Sequence, residues 1–543
     1  MRQVGNRRGQ TVLLAYVTVI VLTVLGGSLL NSSLAAHRQS QLQKSHLDVF
    51  YLAEGGLEDA IAKFSNGIAN FQVDPQTAQY PAVGTITTNF ADGSTAISTI
   101  AQAEAVQRTI IDPDGLSIFV KNYHITTTAQ HPTNNTITAT LHQIVARRLI
   151  YTFQHAVFYD KDLEWLPGPD MTLSGRVHSN HDIYLGANTV LTVDSEYLRA
   201  AGNIYNKRKD NNTVPVGQVQ IKKAASNPVT YPAMAGLDSS SGTWVTESQT
   251  RWNGTVKSGV HGVAEQSVPV VGSTNPGGFY DTNADVKIVN GTVTQGGVTL
   301  VEGVDIPLGT VQTVTTFYNN REGKTVKMTN LDMAKLAGGS YDSKTYTNHL
   351  PSNGLLYTTR SDASASQEPG IRLINGAEIK RTGGVTIASN DPVYVQGDYN
   401  TISKKPVAVI ADAMNLLSGN WNDANSTKND LNSRVATSTT FNAAFIAGIN
   451  TTTSGNYNGG LENYPRMHEK WTGQTLAITG SFVSLWNSQI ATGDWKYGQQ
   501  GSNSQYAAPI RNWNYDTSFS SGTSMPPFTP WVVEIRKGAW WKQ

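Results

Sequence analysis

Apolar and polar positions change their spacing three times along this chain. The first regime is continuous: Gly9 to Ala36 contains no Asp, Glu, Lys or Arg. Within it Thr11 to Leu30 gives 20 residues, which as a helix span ~30 Å, the thickness of a hydrocarbon core. The second regime is amphipathic. Phe50, Ala53, Leu57, Ile61 and Phe64 recur at three- and four-residue intervals, one face of a helix. Unbroken from Gln10 to Phe64, such a helix runs for ~82 Å, its first half apolar all round and its second half striped. Gly26-Gly27 and Gly55-Gly56 interrupt it at ~1 kcal/mol per glycine. The third regime alternates, as strands do. Thr85–Thr88, Ser117–Val120, Tyr123–Thr126 and Thr136–Val145 are predicted strands, with turns at Asp112-Pro113-Asp114-Gly115 and His131-Pro132-Thr133-Asn134-Asn135. A long helix followed by an antiparallel meander is expected up to about residue 150, the strands from Ser65 forming a head able to fold without the stem.

From Phe153 the strands shorten and their ends carry Gly or Asn. Met171–Gly175, Arg176–Asn180, Asp182–Gly186 and Gly202–Tyr205 begin the style, and Ile371–Leu373, Gly384–Ile387, Val393–Tyr399 and Val407–Ile410 resume it. Strands so short and dense fit the rungs of a parallel β-solenoid, with a β-sandwich as the alternative. Residues 151–206 and 350–490 are assigned to this body. The looser text of 207–349 is expected to be an insertion with its own small fold, its short helix capped by Asn330 and stopped at Gly338-Gly339. Eight of the 11 tryptophans follow residue 420, interleaved with Pro and Gly, and 491–543 is expected to form an aromatic cap. The fold class is therefore mainly β with one long N-terminal α-helix.

Composition adds direction. Arg2, Arg7 and Arg8 precede the apolar run and should stay cytoplasmic, leaving the rest exported beyond a membrane crossed once, which the resemblance described below makes the inner membrane. A cleaved secretory signal, cut near Ser33-Leu34-Ala35 or Leu34-Ala35-Ala36, is the alternative, but its apolar region usually has only ~7–15 residues. Lys plus Arg number 41 against 40 Asp plus Glu, a net charge of +1 that offers no electrostatic case for nucleic acid. Charged residues make up only 15%, and polarity comes from Asn, Thr, Ser and 49 glycines, as in extracellular β-rich proteins. With no cysteine, disulfides and thiolate metal sites are excluded.

The N-terminus resembles that of type IV pilins, and most closely the PilX-type minor pilins. The basic leader (1–9) ends Arg7-Arg8-Gly9, the apolar helix begins Thr11-Val12-Leu13-Leu14-Ala15-Tyr16-Val17, and Tyr51-Leu52-Ala53-Glu54-Gly55-Gly56-Leu57-Glu58-Asp59-Ala60 is similar to that family's Ala-Glu-Ala-Gly-Leu-Glu signature. The resemblance implies prepilin-peptidase cleavage between Gly9 and Gln10, and a mature stem (10–64, membrane part 11–30) below a head at 65–150. It also implies stem packing against other pilins or pseudopilins through Leu13, Leu14, Val17, Ile20, Val21 and Val24. Major pilins carry Glu at the fifth mature position, where this chain has Leu14, which favours a minor or tip-proximal subunit. The C-terminal region, through Asn512-Trp513-Asn514-Tyr515-Asp516-Thr517, resembles large exported PilX-type proteins. A head in the periplasm or on the cell surface follows.

Candidate chemistry is sparse. His178, His181 and Asp182 are close in sequence, but a spacing of three puts the two histidines on opposite faces of a strand. Asn422, Asp423, Asn425, Asn429 and Asp430 form an oxygen-rich loop without the spacing or terminal Glu of a helix–loop–helix calcium site. Asp391, Asp398, Lys404 and Lys405 are the residues a polysaccharide-cleaving groove would use. No nucleophile or phosphate-loop motif is present, so the expected protein is not an enzyme and uses no cofactor or metal. A filament-assembly subunit is the leading reading. A surface adhesin binding glycans through the Trp-rich end comes second, and an anchored polysaccharide-active enzyme third.

Overall fold

In a computed structural model, residues 7–69, 84–495 and 505–543 are described. The stem is one α-helix, Arg7–Ala69, of 63 residues. Among the described residues, 9–44 of the stem are all exposed. Its second half buries Val49, Ala53, Leu57, Ala60, Ile61 and Phe64, the expected stripe entered through Val49, with Phe50 half-buried beside it. These residues are part of the head's core, so the stem does not end where the head begins. This packing bears against the expectation of a head able to fold from Ser65 without the stem.

The helix docks on a six-stranded antiparallel sheet. Its order is Gly84–Asn89, Thr95–Gln102, Ser117–His131, Asn134–Tyr151 and Trp531–Lys542, with Arg108–Ile111 also paired to Ser117–His131. In the two long central strands every second residue points inward: Tyr123, Ile125, Thr127 and Ala129 on one, Ile137, Ala139, Leu141 and Val145 on the other. This alternation is what lets one sheet face bury the helix stripe. The outermost strand comes from the extreme C-terminus, pairing Trp531 with Tyr151 and Lys542 with Leu141.

Beyond Tyr151 the strands of the body stack mainly in parallel, which distinguishes a solenoid from a sandwich. Val157–Tyr159, Leu163–Trp165 and Met171–Ser174 form the three sides of one coil. Val177–Ser179, Ile183–Leu185 and Val190–Asp194 form the next, each strand in register with its predecessor. Acidic corner side chains bind successive coils: Asp162 Oδ1 accepts from Asp182 N, and Asp170 Oδ1 from Val190 N, each across 20 residues. Asp182 Oδ1 in turn accepts from Asn203 N, 21 residues on. The repeat is real but only three coils long here.

The second half has two principal sides. Leu355–Thr359, Val385–Ala388, Val407–Ala411, Ala444–Ala447 and Thr475–Ser484 stack on one, and Lys324–Asp332, Gln367–Ile374, Val393–Gln396, Met414–Leu417 and Arg466–Met467 on the other. The halves meet where Thr475–Ser484 pairs with Val157–Tyr159, giving one 14-stranded sheet through the whole body. The chain therefore starts mid-body, winds outward to Val256–Lys257, re-enters at the opposite end at Val286–Val289 and winds back. The crossing segment lies along the body: Gln266 N donates to Asn180 Oδ1, Ser267 bridges Val533, and Thr274 O accepts from Tyr357 OH at 2.9 Å.

The stretch 207–349 supplies strands to these same sheets, through Gln218–Ile221, Val286–Val289 and Lys324–Asp332. Its hairpin Gly339–Tyr341/Lys344–Tyr346 and the helix Trp244–Trp252 are local additions. Asp332, not Asn330, caps the short helix Met333–Leu336, its side chain accepting from Lys335 N. The aromatic C-terminal stretch adds a rung at Ile510–Tyr515, where Trp513 stacks on Phe482 at 4.9 Å. It then leaves the solenoid for the N-terminal sheet.

Candidate functional site

The free half of the stem and a cleft at Trp495 both stand apart from ordinary packing. Along the stem, Leu13, Leu14, Val17, Ile20, Val21 and Val24 are all exposed, as are Gly9 and Gln10 in the helix's first turns. An 18-residue window here has a mean hydropathy of 2.3 and is 0% buried, long and apolar enough to cross a membrane. Two of its hydroxyls are satisfied within the helix, Thr18 and Thr23 donating to Leu14 O and Val19 O at 2.7 Å. A helix that satisfies its own polar groups suits a waterless environment.

The stem is fixed to the head by close approach. A Cβ on Gly56 would lie 2.4 Å from Ala96 Cβ, and Gly56 O accepts from Ser98 Oγ at 3.2 Å. Gly55-Gly56 thus marks where helix and sheet nearly touch, while nothing lies within 4 Å of Gly26 or Gly27. Lys537 reaches from the C-terminal strand to Glu58 at 2.5 Å, and Phe50 meets Trp540 edge-on at 6.2 Å.

The tryptophans divide by environment. Trp421, Trp471, Trp486, Trp513 and Trp531 are buried. Trp540 and Trp541 are exposed on the N-terminal sheet, Trp541 stacking on His124 and His142 at 5.2 and 4.9 Å. Trp495 is half-buried and lines a cleft of about 520 Å³. One wall is the same corner of successive coils: Leu166 and Pro169, then Ala187 and Asn188, then Thr213 to Val216. Opposite stand Tyr457, Glu462, Asn463, Tyr506 and Arg511. Glu462 ties the walls together, its buried carboxylate accepting from Leu166 N at 3.1 Å and Tyr457 OH at 2.8 Å. Burial holds that carboxyl above its ordinary pKa, with Arg511 opposing. Beneath it burial pushes Glu164 up to about 7.

Trp495 itself is held in place. Its Nε1 donates to Tyr506 OH at 3.2 Å, it meets Tyr457 edge-on at 5.3 Å, and Gly459, at φ +106°, leaves room that a Cβ would fill 2.6 Å from Cδ1. These residues span positions 166 to 511 and share no local motif. Only Trp495 was visible beforehand, as one tryptophan among eight.

The other expected clusters are taken up by the fold. His178 is buried, stacked on Phe158 at 5.1 Å and bonded to Asn180, its pKa pushed by burial to about 4. His181 is exposed, and Asp182 holds a coil corner. Asp423 receives Arg372 at 2.6 and 3.0 Å, Asn422 caps Ala424, and Asp430 caps Asn432. Asp391 accepts from Arg360 N, Asp398 from Thr440 N, Lys404 pairs with Asp516 at 2.8 Å, and Lys405 N donates to Asn400 Oδ1. The side chains of Asp391, Asp398 and Lys404 are each engaged by a different neighbour, and Lys405 is held through its backbone.

No family model and no curated protein matches the chain. Among solved structures, the competence-associated pilin ComZ from Thermus thermophilus aligns over 92% of this chain and 97% of its own, at 10% identity and a TM-score of 0.27.

Proposed function

We propose that this chain is a minor subunit of a type IV pilus or type II secretion-like filament, placed near its tip and acting in assembly rather than catalysis. The observation that carries the reading is the stem: an unbroken helix whose lower half is core to the head and whose upper half is apolar and uncovered. Such a helix first rests in the inner membrane with its arginines on the cytoplasmic side, then exchanges lipid for the stems of other pilins. Both surroundings are apolar, so the exchange has no large desolvation cost. A prepilin peptidase acts first, between Gly9 and Gln10.

N-terminal sequencing of protein extracted from membranes tests this. The expected mature start is Gln10. A start near His37, after loss of the whole apolar run, would sink the filament reading.

A further inference from the structure

We infer that the cleft at Trp495 binds a neutral glycan chain. A second cavity, of about 270 Å³, adjoins the first, and Tyr457 and Trp495 line both. The two cavities share one indole, an arrangement that lets successive units of a linear chain occupy both. Its size is in the range of ligand-binding clefts.

The lining selects the chemistry. Around the second cavity stand Asn456, Asn487, Thr451, Ser488 and Thr492, neutral groups that donate and accept hydrogen bonds alike. A hydroxyl is also both donor and acceptor, so a polyhydroxylated ligand can match such a surface at either end of each bond. The charged groups nearby already have hydrogen-bonding partners. Arg208 grips Asp210 at 2.9 and 3.1 Å, Arg511 Nε donates to Glu462 O at 3.0 Å, and Asp494 accepts from Asn456. Among the described residues, a phosphate or sulfate would find no uncommitted cationic cluster. The apolar contribution comes from Trp495 and from a lip at Val216, a valine 93% exposed. Pyranose rings present an apolar C–H face beside their hydroxyls, and an indole fixed in advance stacks on that face without losing further freedom. Binding here does not depend on whether the stem enters a filament.

The full-length protein in detergent would be applied to an array of neutral gluco-, galacto-, manno- and N-acetylglucosamino-oligosaccharides together with sulfated and sialylated ones. Calorimetric titration of the best-retained oligosaccharide would follow. Saturable binding is expected, weakened about tenfold or more by Trp495→Ala and less by Trp495→Phe, with the melting temperature of each variant checked. Asn188→Arg, a substitution at an exposed position on the opposite wall, should weaken binding similarly and leave folding intact, which keeps the test valid if Trp495→Ala misfolds. Absence of binding to every neutral glycan, binding confined to sulfated or sialylated ones, or binding indifferent to all three substitutions overturns the inference.

Discussion

At the scale of single residues, the most consequential position is one without a side chain. Gly56 sits where the stem helix touches the sheet, and any Cβ would overlap Ala96 at 2.4 Å and crowd Thr127. Gly56→Leu should therefore force helix and sheet apart, costing about 1–3 kcal/mol as overpacking does, read as a lowered denaturation midpoint. Gly26→Leu, with open space around it, should leave the midpoint of detergent-solubilised protein unchanged. Equal effects at the two sites would defeat the close-approach argument. Buried acids give a second residue-scale expectation. Burial pushes Glu368 up to about 8 and Asp391 and Glu469, like Glu164, to about 7. Between their ordinary values and these, the folded chain holds protons that the unfolded chain has released, so stability falls as pH rises through that window. Buried His155, His178 and His468 oppose this, but only below their ordinary value of 6.5, where the unfolded chain takes up protons the folded chain refuses. From about pH 6.5 to pH 8 the carboxyls act alone, and the melting temperature should decline. Glu368→Gln should make the decline shallower, and a melting temperature that climbed over this interval would contradict the assignment.

At the scale of elements, the stem's lower half and the C-terminal strand close the N-terminal sheet from two sides. Val49 to Phe64 cover its face, and Trp531–Lys542 covers its edge, with Arg148 pairing Glu534 at 2.7 Å. A chain beginning at Ser65 loses the face and should aggregate or melt without cooperativity. One beginning near Gln41 keeps every buried helix residue and should give a soluble, β-rich protein with a cooperative melt by circular dichroism. A cooperative fold from Ser65 alone would show the helix stripe to be dispensable. Local patterns had made much of this legible. The stripe from Ala53 to Phe64, the alternation of the central strands and the Gly/Asn corners of the coils are all short-range signals. What was not legible is long-range: that the last strand pairs with Asn134–Tyr151, that Thr475–Ser484 abuts Val157–Tyr159, and that Glu462 reaches Leu166. No local periodicity encodes such partners. The coil spacing of 20 residues hides for a related reason. It persists for only three coils, and strands of three residues leave little to align.

At the scale of the whole molecule, the proposed filament role meets a charge and a size constraint together. Cleavage after Gly9 would leave an ammonium on Gln10, and a stem packed below an identical copy would bury that charge beside Leu14, which offers it no carboxylate. An unpaired charge in an apolar bundle is costly, so stacking of this subunit on itself is disfavoured, whereas a single copy at the end of a filament creates few such contacts. Size argues in the same direction. The stem carries an antiparallel sheet and a solenoid whose 14-stranded sheet passes through the entire body, and a shaft repeating that head at every step would have to space its stems far apart. The expected distribution is therefore a few copies at or near one end. Immunogold labelling of sheared filaments, with antibody raised to the head, should place gold at filament tips. In addition, Leu14→Glu should raise the amount of this protein recovered with filaments, because the new carboxylate can pair with a neighbour's ammonium. Label along the shaft at the density of a major subunit would overturn the tip placement, and unchanged recovery of Leu14→Glu would show that charge pairing is not what limits its copy number.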